Sequence, residues 1–155
     1  MQSRITNPAF AVPGAMPALQ AISQAAQANA GVSHQLHALV HLRASQINGC
    51  SVCVDMHAAD LKKLGDTDRR IIAVSAWRET SWFTAPERAA LALAEAVTRL
   101  SDRADPVPDA IWDEARAHFD EAALASLVLS ISMINLWNRL NAATRQIAGA
   151  WKAAA

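Results

Sequence analysis

Signals that start and stop α-helices recur along this sequence, and they restrict the possible fold more than any other feature. Thr84 and Glu87 form a capping box, with Pro86 inside the first helical turn. Ser33 stands where it can cap a second helix, and Gly65 occupies a position that favours the left-handed residue ending a third. No segment shows the alternation of apolar and polar residues that is typical of a β-strand. The sequence therefore predicts an all-α protein.

The predicted helices fill most of a single domain. The chain has 155 residues, and 52% of them are hydrophobic, which is enough for one core. We predict a bundle-like domain of about six or seven helices over residues 15–155. An N-terminal arm, residues 1–14, precedes it, and residues 1–12 are expected to be extended. The predicted helices span residues 15–28, 33–47, 50–64, 66–77, 84–100, 109–118 and 120–148.

Charge and hydropathy restrict the partners that the protein can have. The 14 basic and 14 acidic residues cancel, so the composition gives no sign of binding to nucleic acid or to a membrane surface. High apolar content at zero net charge favours surface that is buried between subunits. No apolar run approaches the roughly 18–20 residues of a transmembrane helix, and Pro8 and Pro13 interrupt the N-terminus where a signal peptide would be apolar. We therefore expect a cytoplasmic homo-oligomer.

Both cysteines of the chain lie in the stretch QINGCSVCVDMH, as Cys50 and Cys53, and His57 follows four residues later. Asn48 and Gly49 form a turn signal in front of them, so the predicted helix begins at about Cys50. Residues three or four positions apart share one face of a helix. The two sulfurs can therefore approach bonding distance, and His57 lies one turn beyond Cys53 on the same face.

This pattern fits a dithiol that cycles between reduced and oxidised forms. The free N–H groups and the positive dipole end of the helix favour thiolate, the reactive form of cysteine. His57 can take a proton from Cys53 or protonate a leaving group. One thiolate can attack a peroxide oxygen and become a sulfenic acid, and the second thiol can condense with it to a disulfide that an external dithiol reduces. A cytosolic location favours such a pair over a permanent disulfide.

Two other interpretations of the cysteines remain open. They can be inert side chains in a helical core. Together with His57 they can also belong to a metal site, although C-x2-C-x3-H supplies three ligands and a closed structural zinc site needs four. The sequence has neither the C-x-x-C-H motif of covalent haem attachment nor the strand–CxxC–helix context of a thioredoxin fold. We therefore expect no metal and no cofactor.

Three stretches of the sequence together resemble the AhpD-like alkylhydroperoxidases of the carboxymuconolactone decarboxylase superfamily. The resemblance implies an all-helical domain that assembles into trimers or hexamers, and an antioxidant peroxidase that reduces alkyl hydroperoxides. It implies that Cys53, paired with His57, is the peroxidatic thiol and that Cys50 is the resolving thiol. It also implies a lipoyl-type dithiol protein as electron donor and a peroxiredoxin as a further partner. The stretches are His41–Gly65, Ala73–Thr98 and Ile134–Arg145.

One position departs from the family's pattern. Its proton relay usually includes a glutamate twelve residues before the first cysteine, and this chain has Ala38 there. His34, His37 and His41 recur at helical spacing on the same predicted helix. We hypothesise that His41 or His37 replaces the carboxylate as proton acceptor, with Glu79 as the second choice. The alternatives are solvated or interface histidines, and a histidine face that binds a metal.

Other polar and aromatic residues are interpreted as structural. Trp77 is expected to pack in the core, and Arg78 or Glu79 to form an ion pair that ties helices together. The charges on the helix over 87–99 are expected to form a solvated face. Contacts with other helices or subunits are expected for four residues of the last helix, which are Asn135, Trp137, Asn138 and Arg139.

Two alternatives to the peroxidase are kept. The first is a redox-sensing or general disulfide oxidoreductase oligomer, which would use the dithiol as a switch without efficient peroxide turnover. The second is a cofactor-free decarboxylase-type enzyme of the same superfamily. Since such enzymes do not need a CxxC motif, its presence argues against the second alternative.

Overall fold

A computed structural model gives the fold and describes residues 2–28, 31–102 and 104–149. Within these residues the protein consists of eight α-helices and two short 3-10 helices, without a β-strand. The prediction of an all-α fold is confirmed. The α-helices are α1 (Pro8–Ala11), α2 (Ala15–Gln27), α3 (His34–Asn48), α4 (Ser51–Lys63), α5 (Asp68–Ala73), α6 (Ala85–Thr98), α7 (Asp109–Arg116) and α8 (Glu121–Thr144).

Helix α3 lies at the centre of the domain and packs against α4, α6 and α8. Each of these helices contributes a fully buried leucine to the core, namely Leu39, Leu61, Leu91 and Leu127. Full burial of one such side chain stabilises the fold by about 2 kcal/mol. The core therefore fixes the turn between α3 and α4, which carries the cysteines, relative to α8.

The helix boundaries that the sequence predicted from capping residues are confirmed. Ser33 Oγ accepts a hydrogen bond from the Leu36 N–H at 3.1 Å. Thr84 and Glu87 make both bonds of the capping box at the start of α6. Gly65 follows the end of α4 with a φ of 88°, a left-handed conformation that favours glycine.

Helix α8 is long and apolar. It has 24 residues, the mean hydropathy of its most apolar window is 1.3, and by length and composition alone it could cross a membrane. However, 56% of that window is buried inside the domain, where α8 packs on α2, α3 and α6. This burial is what a helix that contributes to the core of a domain shows.

The N-terminal arm contains a helix that the sequence did not predict. Residues 1–12 were expected to be extended, but Pro8–Ala11 forms one helical turn, because Asn7 caps it and the proline fits the first turn. The arm lies against the end of α8. Asn7 Nδ2 donates to Asn141 Oδ1 at 2.6 Å, and the Arg4 N–H donates to the Thr144 carbonyl at 2.9 Å. The arm is thereby joined to the helix that carries part of the candidate site.

The prediction of a single helix over residues 66–77 is wrong. Helix α5 ends at Ala73, and a 3-10 helix, Val74–Glu79, follows with a non-helical residue at Ala76 (φ −127°). The kink turns Trp77 into the core, where its exposed fraction is 4%. Because α1 was not predicted, the described residues contain eight α-helices instead of six or seven.

Helix α8 ends earlier than predicted. The sequence favoured a helix to residue 148, but Arg145 is left-handed, with a φ of 53°. The Gln146 N–H donates to the Asn141 carbonyl at 2.9 Å, and Gln146 Nε2 donates to the Ile5 carbonyl at 3.0 Å. These bonds close the last turn and tie the chain to the arm. Helix α7 also ends two residues early, at Arg116, and residues 150–155 of the predicted domain lie outside the described residues.

The solvated face predicted on α6 is wrong at Glu95, whose exposed fraction is 6%. Its carboxylate accepts hydrogen bonds from Arg43 Nε at 2.6 Å, Arg78 Nη1 at 2.5 Å and Trp77 Nε1 at 3.0 Å, with Arg99 Nη1 at 3.5 Å. Burial opposes the charge on Glu95, but these donors outweigh it and lower its pKa. The cluster joins α3, α6 and the 3-10 helix. It includes the predicted ion pair of Arg78, which ties helices together.

Candidate functional site

The two cysteines lie at the N-terminal end of α4, beside the turn that ends α3. Gly49 is left-handed, with φ 66° and ψ 28°, and it reverses the chain between the two helices. Cys50 is the N-cap residue of α4, and its Sγ accepts a hydrogen bond from the Cys53 N–H at 3.4 Å. Both thiols are free, and their Sγ atoms lie 2.6 Å apart. A small closing movement therefore suffices to join them as a disulfide.

The close approach of the sulfurs changes their acidity. The hydrogen bond between them lowers the pKa of Cys50 to about 6, although burial acts in the opposite direction. The same hydrogen bond, followed by burial, raises the pKa of Cys53. Asn141 Nδ2 donates to Cys53 Sγ at 3.2 Å and favours negative charge on that sulfur. At neutral pH the pair therefore holds one proton, and one of the two sulfurs is a thiolate.

A mostly apolar cavity of about 340 Å³ opens beside Cys53, and we call it the apolar cavity. His41 and His57 also line it, whereas Cys50 does not. His57 Nδ1 lies 3.6 Å from Asp60 Oδ2, and interaction with the ring lowers the pKa of Asp60. The carboxylate therefore holds the ring at the cavity wall. The apolar side chains of the wall are Phe10, Met16, Ala26, Val52, Met56, Met133, Ile134 and Trp137.

A row of histidines leads away from this cavity through Ser130. The ring centroids of His41 and His57 lie 4.8 Å apart. His41 Nε2 lies 2.7 Å from Ser130 Oγ, and His37 Nδ1 lies 2.9 Å from the same oxygen. A hydroxyl has one hydrogen, so Ser130 donates to one ring and accepts from the other. A proton can pass between the two rings if the hydroxyl exchanges these roles.

Burial keeps the two inner histidines neutral at physiological pH. Desolvation, followed by repulsion from His34, lowers the pKa of His37 to about 4. Desolvation, followed by repulsion from His57 and His37, lowers the pKa of His41 well below its ordinary value. His37 Nε2 is buried and has no hydrogen-bond partner among the described residues. His37 also lines an outer cavity of about 320 Å³ together with Ala38 and His57.

The structure brings together all five predicted site residues, the two cysteines and the histidines at 57, 41 and 37. His34 is exposed and lines the outer cavity only. Glu79 is exposed at the end of the 3-10 helix and lines neither cavity. The second choice for the carboxylate that is absent at Ala38 is therefore wrong, because Glu79 lies away from the histidine row.

Two residues of the site were missed by the sequence analysis, Ser130 and Asn141. Both lie on α8 and reach partners about 90 positions earlier in the chain, His37 and Cys53. A signal was present, because the two polar side chains lie three turns apart on one face of an apolar helix. Asn138, expected to contact other helices, also lies near the site, where it donates to Ser45 Oγ at 3.0 Å.

The histidines of α3 are arranged for hydrogen bonding. Within the described residues, no group of three or more His, Cys, Asp or Glu side chains could hold a metal ion. His37 and His41 each direct one ring nitrogen at the Ser130 hydroxyl. This geometry favours the relay hypothesis over a histidine face that binds a metal.

The pH dependence of alkylation tests the shared proton of the thiols. We expect the rate of reaction with iodoacetamide to rise with pH through an inflection near pH 6, because the reactive thiolate forms at the lowered pKa of Cys50. Replacing Cys53 with alanine removes the hydrogen bond that lowers this pKa, so the inflection should move up toward the ordinary thiol value of about 8.5. Ser51→Ala is the control on the same turn. An inflection that stays near pH 6 without Cys53 would contradict the shared proton.

Comparisons with known proteins agree with the fold. The sequence model of the carboxymuconolactone decarboxylase family matches residues 13–96. The uncharacterized protein YdfG of Bacillus subtilis (strain 168) is 42% identical over 105 residues, which cover 68% of this chain and 70% of YdfG. A crystal structure from Agrobacterium tumefaciens superimposes with a TM-score of 0.88 at 35% identity, covering 97% of this chain and 100% of that one. That protein is of unknown function and is suggested to be the antioxidant defence protein AhpD.

The same fold also occurs in a debrominase. The debrominase Bmp8 superimposes with a TM-score of 0.80 at 20% identity, covering 91% of this chain and 74% of Bmp8. At this identity the likeness is one of fold alone. The reaction has to be argued from the side chains of the site.

Proposed function

Because the chain belongs to the carboxymuconolactone decarboxylase family and is one of its AhpD-like members, we propose that it is a thiol-dependent peroxidase that reduces alkyl hydroperoxides. The observation that carries the proposal is the approach of the two cysteine sulfurs to 2.6 Å beside a cavity lined by two histidines. Two cysteines that only packed in the core would not need sulfurs at this distance or a lowered pKa for one of them, Cys50.

In the proposed first step, the thiolate of Cys53 attacks the outer oxygen of the hydroperoxide. Cys53 becomes the thiolate when its proton passes to Cys50 Sγ, 2.6 Å away. The peroxide O–O bond breaks, and Cys53 becomes a sulfenic acid. The alkoxide that leaves takes a proton from His57, which lines the same cavity, and departs as an alcohol.

In the second step, Cys50 condenses with the sulfenic acid on Cys53. The S–S bond forms, and the hydroxyl of the sulfenic acid leaves with the Cys50 proton as water. In sum, the singly protonated thiol pair, one further proton and the hydroperoxide give the disulfide, an alcohol and water. One proton must therefore enter the site from outside in each cycle.

The proposed path of that proton is the row of histidines. We propose that His57 gives its proton to the alkoxide and is reprotonated from His41. The two rings are in contact, 4.8 Å apart between centroids, without a hydrogen bond between them among the described residues, and Ser130 links His41 to His37. His37 Nε2, without a hydrogen-bond partner in the described part of the chain, is the outer end of the row beside the outer cavity. In this proposal His37 and His41 transfer the proton that a glutamate would transfer if the chain had one in place of Ala38.

The apolar cavity supports an alkyl hydroperoxide as the substrate class. Its wall is mainly apolar, and its polar members include Cys53, the two histidines and three side chains of α2, which are Gln20, Ser23 and Gln27. An alkyl chain fits such walls, and the peroxide group fits beside Cys53. Phe10 brings the N-terminal arm into the wall, so the arm takes part in selecting the substrate.

The remaining features of the proposal concern partners and location. A dithiol, such as the lipoyl group of a carrier protein, regenerates the thiols, and a peroxiredoxin is a further candidate partner. The protein is proposed to act in the cytoplasm as a trimer or hexamer. Large apolar side chains with high exposure, Ile72 at 75% and Leu100 at 53%, support burial of surface between subunits.

Counting thiols tests the proposed reaction. One equivalent of cumene hydroperoxide should remove both thiols together and release one equivalent of alcohol, and added dithiothreitol should sustain turnover. Fast disulfide formation without turnover by any dithiol would favour the redox switch instead. Slow thiol loss that is the same in Cys53→Ser would reject the peroxidase and leave a decarboxylase-type activity to be examined.

The relay is tested by removing the Ser130 hydroxyl. In Ser130→Ala we expect the rate of disulfide formation with peroxide to fall about tenfold, because general acid catalysis contributes 10²–10⁴-fold or so and the relay serves it. Alkylation by iodoacetamide, whose leaving iodide needs no proton, should be unchanged. Ser132→Ala is the matched control, since this exposed hydroxyl donates to the Val128 carbonyl at 2.8 Å on the same helix and has no other hydrogen-bond partner among the described residues. Equal losses in both reactions would mean that Ser130 acts through packing alone.

A further inference from the structure

The two cysteines line different cavities. Cys53 lines the apolar cavity, whereas Cys50 lines another of about 340 Å³, which we call the Cys50 cavity. Asn141 borders both cavities and so stands between them. The other residues of the Cys50 cavity are Gly49, Ser51, Ala142, Arg145 and Gln146. The two cysteines of the pair therefore border separate cavities, with Asn141 common to both.

The Cys50 cavity differs from the apolar cavity in polarity and charge. Among the described residues, no aromatic or methionine side chain lines it, whereas the exposed Arg145 does. Arg145 forms no ion pair with an acidic side chain in the described part of the chain. A second cation, Arg4, lies close by, because its Nη1 donates to the Ala143 carbonyl at 3.0 Å. Arg145 therefore lines the cavity, and Arg4 adds a second positive charge near the same end of α8.

Exchange between a thiolate and a disulfide places three sulfurs in one line. A nucleophile that attacks Cys50 must come from the side away from Cys53. A nucleophile could reach Cys50 through the Cys50 cavity, which Cys53 does not line. The leaving sulfur would then be Cys53, whose thiolate accepts a hydrogen bond from Asn141 Nδ2 at 3.2 Å.

We propose that the Cys50 cavity is the entry site for the reductant, and that Arg145 selects a thiol that carries an anionic group. This entry site rests on the proposed function in one respect: the oxidised form of the protein is taken to contain a Cys50–Cys53 disulfide. The peroxide thus reacts at Cys53 through one cavity, and the reductant reacts at Cys50 through the other. An alcohol product that still occupies the apolar cavity does not block reduction.

The exchange balances as two thiol–disulfide steps. The reductant thiolate attacks Cys50 Sγ, the Cys50–Cys53 bond breaks, and Cys53 leaves as a thiolate. A second thiol of the reductant then attacks the mixed disulfide on Cys50, so that Cys50 is released with the proton of that thiol. Two electrons pass to the protein, and the reductant becomes a disulfide.

The charge preference is measured on protein oxidised with diamide, without any peroxide. Two monothiols of matched size, 2-mercaptoethanesulfonate and 2-mercaptoethanol, reduce it at low ionic strength, and the rate constants are compared. In the wild type we expect the anionic thiol to gain about three- to tenfold from Arg145, an effect of one charge at short range. Arg145→Gln should lose that gain, so that the ratio of the two rate constants falls about three- to tenfold from that of the wild type.

Arg116→Gln is the matched control, since it removes the same charge from an exposed position on α7, where Arg116 lies 3.8 Å from Asp113. The same ratio of rates in Arg145→Gln and the wild type would overturn the role of Arg145. Rapid quenching with N-ethylmaleimide, followed by peptide fragmentation, shows which sulfur holds the adduct. An adduct on Cys53 with Cys50 alkylated would overturn the entry site.

The outcomes separate this proposal from the peroxidase. If diamide forms the disulfide and the charge preference appears, but hydroperoxides do not react, the entry site stands and the peroxidase fails. If hydroperoxides react but the adduct forms on Cys53, the peroxidase stands and the entry site fails.

Discussion

Replacing Cys53 with serine is expected to lower the rate of hydroperoxide consumption by about a thousandfold or more. A serine hydroxyl does not ionise near neutral pH, so the residue facing the apolar cavity loses its nucleophile. Cys50 remains, but it does not line that cavity, and it loses the hydrogen bond that lowers its pKa to about 6. The measurement is consumption of cumene hydroperoxide with dithiothreitol in excess.

The matching variant Cys50→Ser should give a different defect. Cys53 should still react once with peroxide, but its sulfenic acid should persist, since the thiol 2.6 Å away is gone. A sulfenate-specific probe should label Cys53 in this variant, and no sulfur in Cys53→Ser. If the probe labels Cys50 in Cys53→Ser at a rate near that of the wild type, the roles of the two thiols are reversed.

Replacing Glu95 with alanine is expected to lower the free energy of unfolding by about 3 kcal/mol. The carboxylate is the common acceptor for Arg43, Arg78 and the Trp77 indole N–H. Its loss leaves the largely buried Arg43, the half-exposed Arg78 and the buried Trp77 N–H without this acceptor. Removing one member of a buried ion pair costs about 3–5 kcal/mol. The lower end applies, because the side chain of Arg78 is 50% exposed. Urea denaturation of the reduced protein measures the change.

Two further variants show whether burial causes this loss. Glu95→Gln keeps an acceptor and loses the charge, so its effect should lie between those of the wild type and Glu95→Ala. Glu114→Ala breaks an exposed pair with His118 at 3.2 Å, and exposed pairs contribute about 0–1 kcal/mol. Similar losses in Glu95→Ala and Glu114→Ala would show that the cluster adds nothing beyond a surface ion pair.

The parts of the fold that depend on neighbours in the sequence could be predicted. The caps at Ser33 and Thr84 and the turn at Gly49 are set by a few adjacent residues, and their helices begin and end where those residues favour it. The approach of Cys50 and Cys53 follows in the same way, because one turn of α4 places the two sulfurs side by side.

The parts that depend on distant residues could not be predicted. Ser130 meets His37 across 93 positions, and Arg43 meets Glu95 across 52. Both bonds exist because α3 packs against α6 and α8. No pattern in the neighbouring sequence of these residues predicts their partners. The end of α8 at Arg145 is likewise set by bonds to the arm, since no glycine or proline stands there.

The sequence also could not predict which of the two thiols has the lower pKa. The histidine one turn after Cys53 favoured thiolate on that residue. In the structure the lower pKa belongs to Cys50, because the hydrogen bond between the sulfurs stabilises its anion. Spacing along a helix shows which groups meet, whereas the sharing of a proton depends on tenths of an ångström between them.

The bond from Asn7 to Asn141 fixes which way an amide is turned. Asn7 Nδ2 donates to the oxygen of the Asn141 side chain at 2.6 Å, so the nitrogen of that amide is the group that faces Cys53. Without Asn7, the amide is free to rotate by half a turn and present its oxygen to the sulfur, which would repel a thiolate. The reactivity of Cys53 is therefore sensitive to the N-terminus, some 46 positions earlier, and a shortened N-terminus alters the chemistry of the thiols even where the helical domain stays folded.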